Sequence, residues 1–102
     1  MDWNSTDKKA LVQAILTLQT ADEARRFLRD LLTENEIEEF SKRLKAAEML
    51  AEDFPYSEIE RQTGLSSTTV ARVSKWLKGK EGGYRSIINK LHHRSTSLAR
   101  ER

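Results

Sequence analysis

Residues that break helices are nearly missing from this 102-residue chain, which has one proline, Pro55, and four glycines, three of them within 79–83. Proline removes a backbone donor and clashes with the preceding turn, and glycine costs about 1 kcal/mol against alanine inside a helix. Almost the whole chain is therefore free to be helical, with interruptions expected near 55, 64 and 79–83. No alternation of β-branched residues persists beyond a few positions, so strands are not expected. The expectation is an all-α fold of about six helices.

Cap signals divide the chain further. Residues from about Thr6 to Leu18 carry Leu11, Val12, Ile15, Leu16 and Leu18, an apolar surface wider than one stripe. Thr20 with Glu23 has the spacing of a capping box. Behind it Ala24, Phe27, Leu28, Leu31 and Leu32 recur at one face of a helix. Thr33 with Glu36 repeats the box and opens a longer helix. Its inward positions are Ile37, Phe40, Leu44, Ala47 and Ala51, flanked by Met49 and Leu50. The segment EDFPY ends it, because the residue before Pro55 is steered away from the α region. A short helix follows from about Tyr56 to Thr63, with Ile59 inward, and Gly64 closes it with a backbone state most residues resist. Another runs from about Ser67 to Leu77. GKEGG is a hinge or linker, and Tyr84, Ile87, Ile88 and Leu91 mark a last amphipathic helix. Residues 1–93 are read as a single helical domain and residues 94–102 as a flexible C-terminal tail.

Composition narrows the function classes. With no cysteine there is neither a disulfide framework nor a thiolate metal site. No apolar run approaches the ~20 residues of a membrane span, and MDWNSTDKKA lacks a signal peptide's basic-then-apolar order, so a soluble, cytoplasmic protein is expected. The first three helices carry more apolar surface than a chain of this size readily covers. A homodimer sharing that surface is the structural expectation, with an all-helical monomer as the alternative. Charge is segregated: residues 1–53 hold 8 Lys/Arg against 12 Asp/Glu, whereas residues 54–102 hold 10 against 4. From Arg61 to Lys80 there is no acidic residue. That asymmetry suggests a polyanionic partner for the second half, a solvated basic face being the alternative.

Within the basic half, YSEIERQTGLSSTTVARVSK has the spacing of a helix-turn-helix. Ile59, Leu65, Val70 and Val73 are apolar where two short helices must press together, and Gly64 lies at the turn. Such a unit presents the N-terminal residues of its second helix to the DNA major groove. Glu60 departs from the usual alanine at its position, and a purely structural hairpin is the competing reading. Ser66 is placed as the N-cap, accepting from the backbone of Thr68 or Thr69. Ser67, Thr68 and Ala71 are expected to face outward, with Thr69 partly so. Hydroxyls pair with bases and phosphates, and the methyls of Thr and Ala meet thymine methyls. Arg72 is a candidate for guanine or phosphate, and Lys75, Lys78 and Lys80 for phosphate.

From Phe27 to Leu91 the chain resembles the Trp repressor superfamily, particularly the YerC/YecD-type Trp-repressor-like proteins. LLTENEIEEFSKRLKAAEML is similar to the family's long central helix, and YSEIERQTGLSSTTVARV to its helix-turn-helix, which also lacks the alanine at the position of Glu60. The resemblance implies an intertwined homodimer presenting two recognition helices to successive major grooves, about 34 Å apart, on a roughly palindromic site in double-stranded DNA. It also raises tryptophan as a corepressor, held between arginines matching Arg43 and Arg72 and by a threonine matching Thr33. Here the chain departs from the pattern. Val73 replaces a glycine and Trp76 a serine, and both side chains would occupy space that an indole needs. Free tryptophan is therefore not expected to bind, and no other cofactor is implied. Trp76 itself is a candidate to fill the slot, with Arg43 or Arg72 on its ring face.

No catalytic arrangement stands out. His92 and His93 are adjacent, so on a helix they diverge by about 100° and cannot easily share one metal. No phosphate-cradling glycine loop and no nucleophile with a base partner is visible, so enzyme activity is not expected. The sequence reads as a sequence-specific DNA-binding transcriptional regulator, a repressor acting as a homodimer, with a protein-interaction hairpin or a repressor that responds to a different small ligand as alternatives.

Overall fold

The first five helices begin where a side-chain acceptor or a proline can start them. The computed structural model describes the backbone of residues 1–100 and the side chains of residues 1–93. The described residues are all-α: α1 (Thr6–Leu16), α2 (Ala21–Leu31), α3 (Glu34–Ala51), α4 (Tyr56–Thr63), α5 (Ser67–Leu77) and α6 (Gly83–Arg100). Ser5 Oγ accepts from the Lys8 backbone N–H at 3.3 Å to open α1, and Thr20 Oγ1 accepts from that of Glu23 at 3.1 Å to open α2. At α3 the box is reciprocal. Thr33 Oγ1 accepts from the Glu36 N–H at 3.1 Å, and Glu36 Oε1 accepts from the Thr33 N–H at 3.0 Å. The Thr33 backbone N–H, and after it the Thr33 hydroxyl, holds the Glu36 carboxyl below its usual pKa.

The end of α3 is set differently from the sequence argument. The helix stops at Ala51, and Asp53 takes a left-handed conformation with φ of 64°. The Asp53 N–H then donates to Leu50 O and the Phe54 N–H to Met49 O, both at 3.0 Å. This left-handed closure satisfies the last carbonyls before Pro55 is reached. Pro55 instead stands at the N-cap of α4, where its fixed φ suits a helix start. At the other end of the chain the backbone is helical as far as Arg100, past the boundary expected at residue 93. Residues 101–102 of the expected tail, and the side chains of 94–100, lie outside the described residues.

By its contacts the chain divides into two compact units, Met1–Ile37 and Glu38–Arg102. The second holds the core: Ala46, Ala47 and Met49 of α3, Ile59 of α4, Leu65 of the turn, Val70, Val73 and Leu77 of α5, and Ile88 of α6. Leu50 and Tyr84 pack against it. Within this unit α4 packs on α5 and α5 on α6. Ala46 and Ala47 of α3 are fully buried in this unit. Phe40 and Ala51, expected to face inward, are exposed instead, and Ala46 takes the inner face.

Candidate nucleic-acid interface

The turn between α4 and α5 is fixed by two residues. Gly64 caps α4 at φ of 74°, its N–H donating to Glu60 O at 2.9 Å. Thr63 is buried and doubly bonded: its hydroxyl donates to Ile59 O at 2.7 Å and accepts from the Leu65 N–H at 3.2 Å. That second bond supplies an acceptor to a buried backbone donor that neither helix can satisfy. Thr63 was not singled out from the sequence. Its only signal was a hydroxyl residue immediately before the turn glycine.

Ser66 opens α5, with its Oγ accepting from the Thr69 N–H at 3.2 Å and its hydroxyl donating to Thr69 Oγ1 at 3.0 Å. From there the helical period sorts the side chains. Val70, Val73, Ser74 and Leu77 are buried, whereas Ser67, Thr68, Ala71, Arg72 and Lys75 are exposed. Thr69 is half-buried at the edge, and Lys78 and Lys80 are exposed just beyond the helix. The hydroxyl run is thus a cap, two outward residues and one edge residue.

The charge of this face is uniform. Among the described residues no ion pair engages Arg72, Lys75, Lys78 or Lys80, so their charges are not neutralised within the chain. On α4, by contrast, Glu58 pairs with Arg61 and also accepts from Gln62 Nε2 at 2.7 Å. The Arg61 hydrogen bond, then that of Gln62, holds the Glu58 carboxyl down at about 2. The Glu58 carboxylate therefore stays ionised but is already partnered.

The residues considered for a ligand are distributed differently. Thr33 caps α3 and belongs to the first unit, whereas Arg43, Arg72, Val73 and Trp76 belong to the second. Arg43 stacks over the Phe40 ring, 5.8 Å from its centroid, and pairs with Glu39 at 3.4 Å. Val73 is 3% exposed and part of the core. Trp76 is 55% exposed and lines an open depression with Thr68, Ala71, Arg72 and Lys75. Within one chain, then, Trp76 does not fill a closed slot, and the ring that Arg43 covers is that of Phe40. The physical reason is angular: eight residues after Thr68, Trp76 falls at the margin of the outward arc of α5 rather than beneath it.

One positioning residue was not legible in the sequence. Arg85 Nη1 donates to Leu77 O at 2.7 Å, joining the first turn of α6 to the last carbonyls of α5. A cation there also offsets the negative end of the α5 dipole.

The sequence pattern of the family described as Trp repressor protein matches residues 6–92. The chain belongs to the Trp repressor family. It is 36% identical over 86 residues to the uncharacterized protein YerC of Bacillus subtilis (strain 168), covering 84% of this chain and 83% of YerC. Among solved structures it is similar to a TrpR-like protein from Eubacterium eligens, with a TM-score of 0.81, 37% identity, and coverage of 88% of this chain and 93% of that one. A Staphylococcus aureus structure gives a TM-score of 0.83 at 33% identity, with 90% and 95% coverage. The family match spans both units.

Proposed function

We propose that this chain is a sequence-specific DNA-binding transcriptional repressor that acts as a homodimer and does not use free tryptophan. The outward face of α5 carries the reading: an acid-free row of hydroxyls, Arg72 and Lys75, held out from the core by a closed turn. Family membership supports a regulatory role, which is exercised on double-stranded DNA in the cytoplasm. Lys75, Lys78 and Lys80 neutralise phosphates, while Ser67, Thr68, Thr69, Ala71 and Arg72 meet base edges, with Ser66 fixing the helix start.

Dimerisation is supported by the first unit. α1 and α2 bury no residue, yet carry Leu11, Val12, Ile15, Leu16, Leu28 and Leu31 exposed. Apolar surface of that extent on a small protein marks an interface. A two-fold dimer would set the two copies of α5 one helical turn apart on a roughly palindromic operator. Independence from tryptophan follows from volume. Val73 and Trp76 stand where the family pattern has a glycine and a serine, so each position carries more side-chain volume than that pattern leaves beside an indole.

Selection of bound genomic DNA tests the reading. Log affinity should fall by about 0.9 per neutralised phosphate for each log unit of salt. Thr68→Ala should change sequence preference, whereas Lys78→Ala should weaken all duplexes and lower the salt slope by about 1. A flat salt response, or no enriched sequence, would overturn DNA recognition. Tight tryptophan binding in calorimetry would overturn the corepressor-free reading.

A further inference from the structure

Behind the outward face of α5 lies a groove of whose lining the DNA-binding reading uses Lys78 alone. It is bounded by Ala51 at the end of α3, Leu77 and Lys78 at the end of α5, and Arg85, Ile88 and Asn89 of α6, and is open to solvent with a volume of about 490 Å³. That volume falls within the usual range for small-molecule sites, about 300–1,000 Å³. Its chemistry is one-sided. Ala51, Leu77 and Ile88 supply an apolar floor, Lys78 and Arg85 supply two cations, and no carboxylate lines it. Among the described residues neither cation is in an ion pair. Arg85 spends one N–H on Leu77 O, leaving most of its five donors for another acceptor. The Asn89 side chain adds a neutral donor on the same wall.

We propose that this groove binds a small monocarboxylate with an apolar body, and that its occupancy weakens DNA binding. The carboxylate pairs with Arg85 and Lys78 and accepts from Asn89, while the body lies on Leu77, Ile88 and Ala51. A guanidinium offers the fork geometry that a carboxylate accepts in bidentate fashion. The regulatory half rests on the DNA-binding reading. A bound anion takes Lys78 away from phosphate and sets a negative charge at the end of α5. DNA and the ligand therefore oppose each other, and each lowers the other's affinity by the same factor.

The binding half is measured on the full chain without DNA, so it stands or fails separately. Octanoate and benzoate are titrated into ¹⁵N-labelled protein, with octanamide as the neutral match. Saturable shifts centred on Leu77, Lys78, Arg85 and Asn89, absent with octanamide, are the expected result. Arg85→Gln should weaken octanoate binding at least tenfold. If that variant misfolds, Asn89→Leu keeps the test: the Asn89 side chain makes no described hydrogen bond within the chain, and the variant should still lose several-fold in octanoate affinity. Absent or unsaturable shifts, equal binding of octanamide, or wild-type binding by both variants would overturn the site. At fixed ionic strength, saturating octanoate should then reduce operator affinity by about fivefold or more. Unchanged affinity with proven octanoate binding would overturn the regulatory half alone, whereas failure to bind any duplex would overturn the DNA-binding reading and leave the site standing.

Discussion

The two units of this chain use the same local devices to opposite effect. Both build capped amphipathic helices, and α2 and α5 each start from a hydroxyl cap. Yet Glu38–Arg102 contains every residue of the core, whereas α1 and α2 of Met1–Ile37 bury none. An amphipathic face is an offer of burial, and whether it is met depends on what packs against it. The second unit meets its own offer. The first presents leucines to whatever covers it, which in the proposed dimer is the second copy.

The sharpest way to break that contrast is to truncate one apolar residue on each side of it. Ile59→Ala, at a fully buried site, should cost about 2–5 kcal/mol by chemical denaturation. Leu31→Ala, at 50% exposure, should cost much less in dilute protein, and a similar loss at both sites would erase the distinction. Leu28→Asp with Leu31→Asp addresses the same question through assembly. Sedimentation should show loss of the dimer, and the melting temperature should no longer rise with protein concentration. If the double variant remains dimeric, the α2 face is not the shared surface.

Smaller effects probe the local devices. Ser66→Ala should cost about 1 kcal/mol by removing the α5 cap, measurable by thermal melting. Asp53→Gly should stabilise the chain by several tenths of a kcal/mol, because glycine takes φ of 64° without a Cβ penalty. The pH response is the gentlest test. Glu58 titrates at about 2 in the folded chain against a usual 4.5, and Glu36 is lowered in the same direction. The folded state thus binds fewer protons, so this contribution is full above about pH 4.5 and is lost as pH falls toward 2. In thermal melts Glu58→Gln should flatten that decline, and an identical pH profile would remove Glu58 from the account.

Much of the candidate interface was legible because it is local. Ser66, Gly64 and the outward spacing of Thr68, Ala71, Arg72 and Lys75 depend on neighbours within a few residues and on the helical period. Arg85 was not legible, because its acceptor lies eight residues away across the linker. Nor was Thr63, whose value rests on the buried Leu65 N–H that it satisfies. That Trp76 lies in an open depression of the single chain was hidden for a related reason: side-chain volume can be read from sequence, but the arc of the helix that stays uncovered cannot.

By itself the sequence determined the helices, their starts and the recognition hairpin, since caps, turns and periodicity act over one or two turns of chain. The tertiary structure alone decided which apolar faces are buried, that a left-handed Asp53 rather than Pro55 closes α3, and that Arg85 ties α6 to the end of α5. Those outcomes rest on packing and on satisfying particular backbone groups, and the partners that supply both are set by the fold rather than by the neighbouring residues.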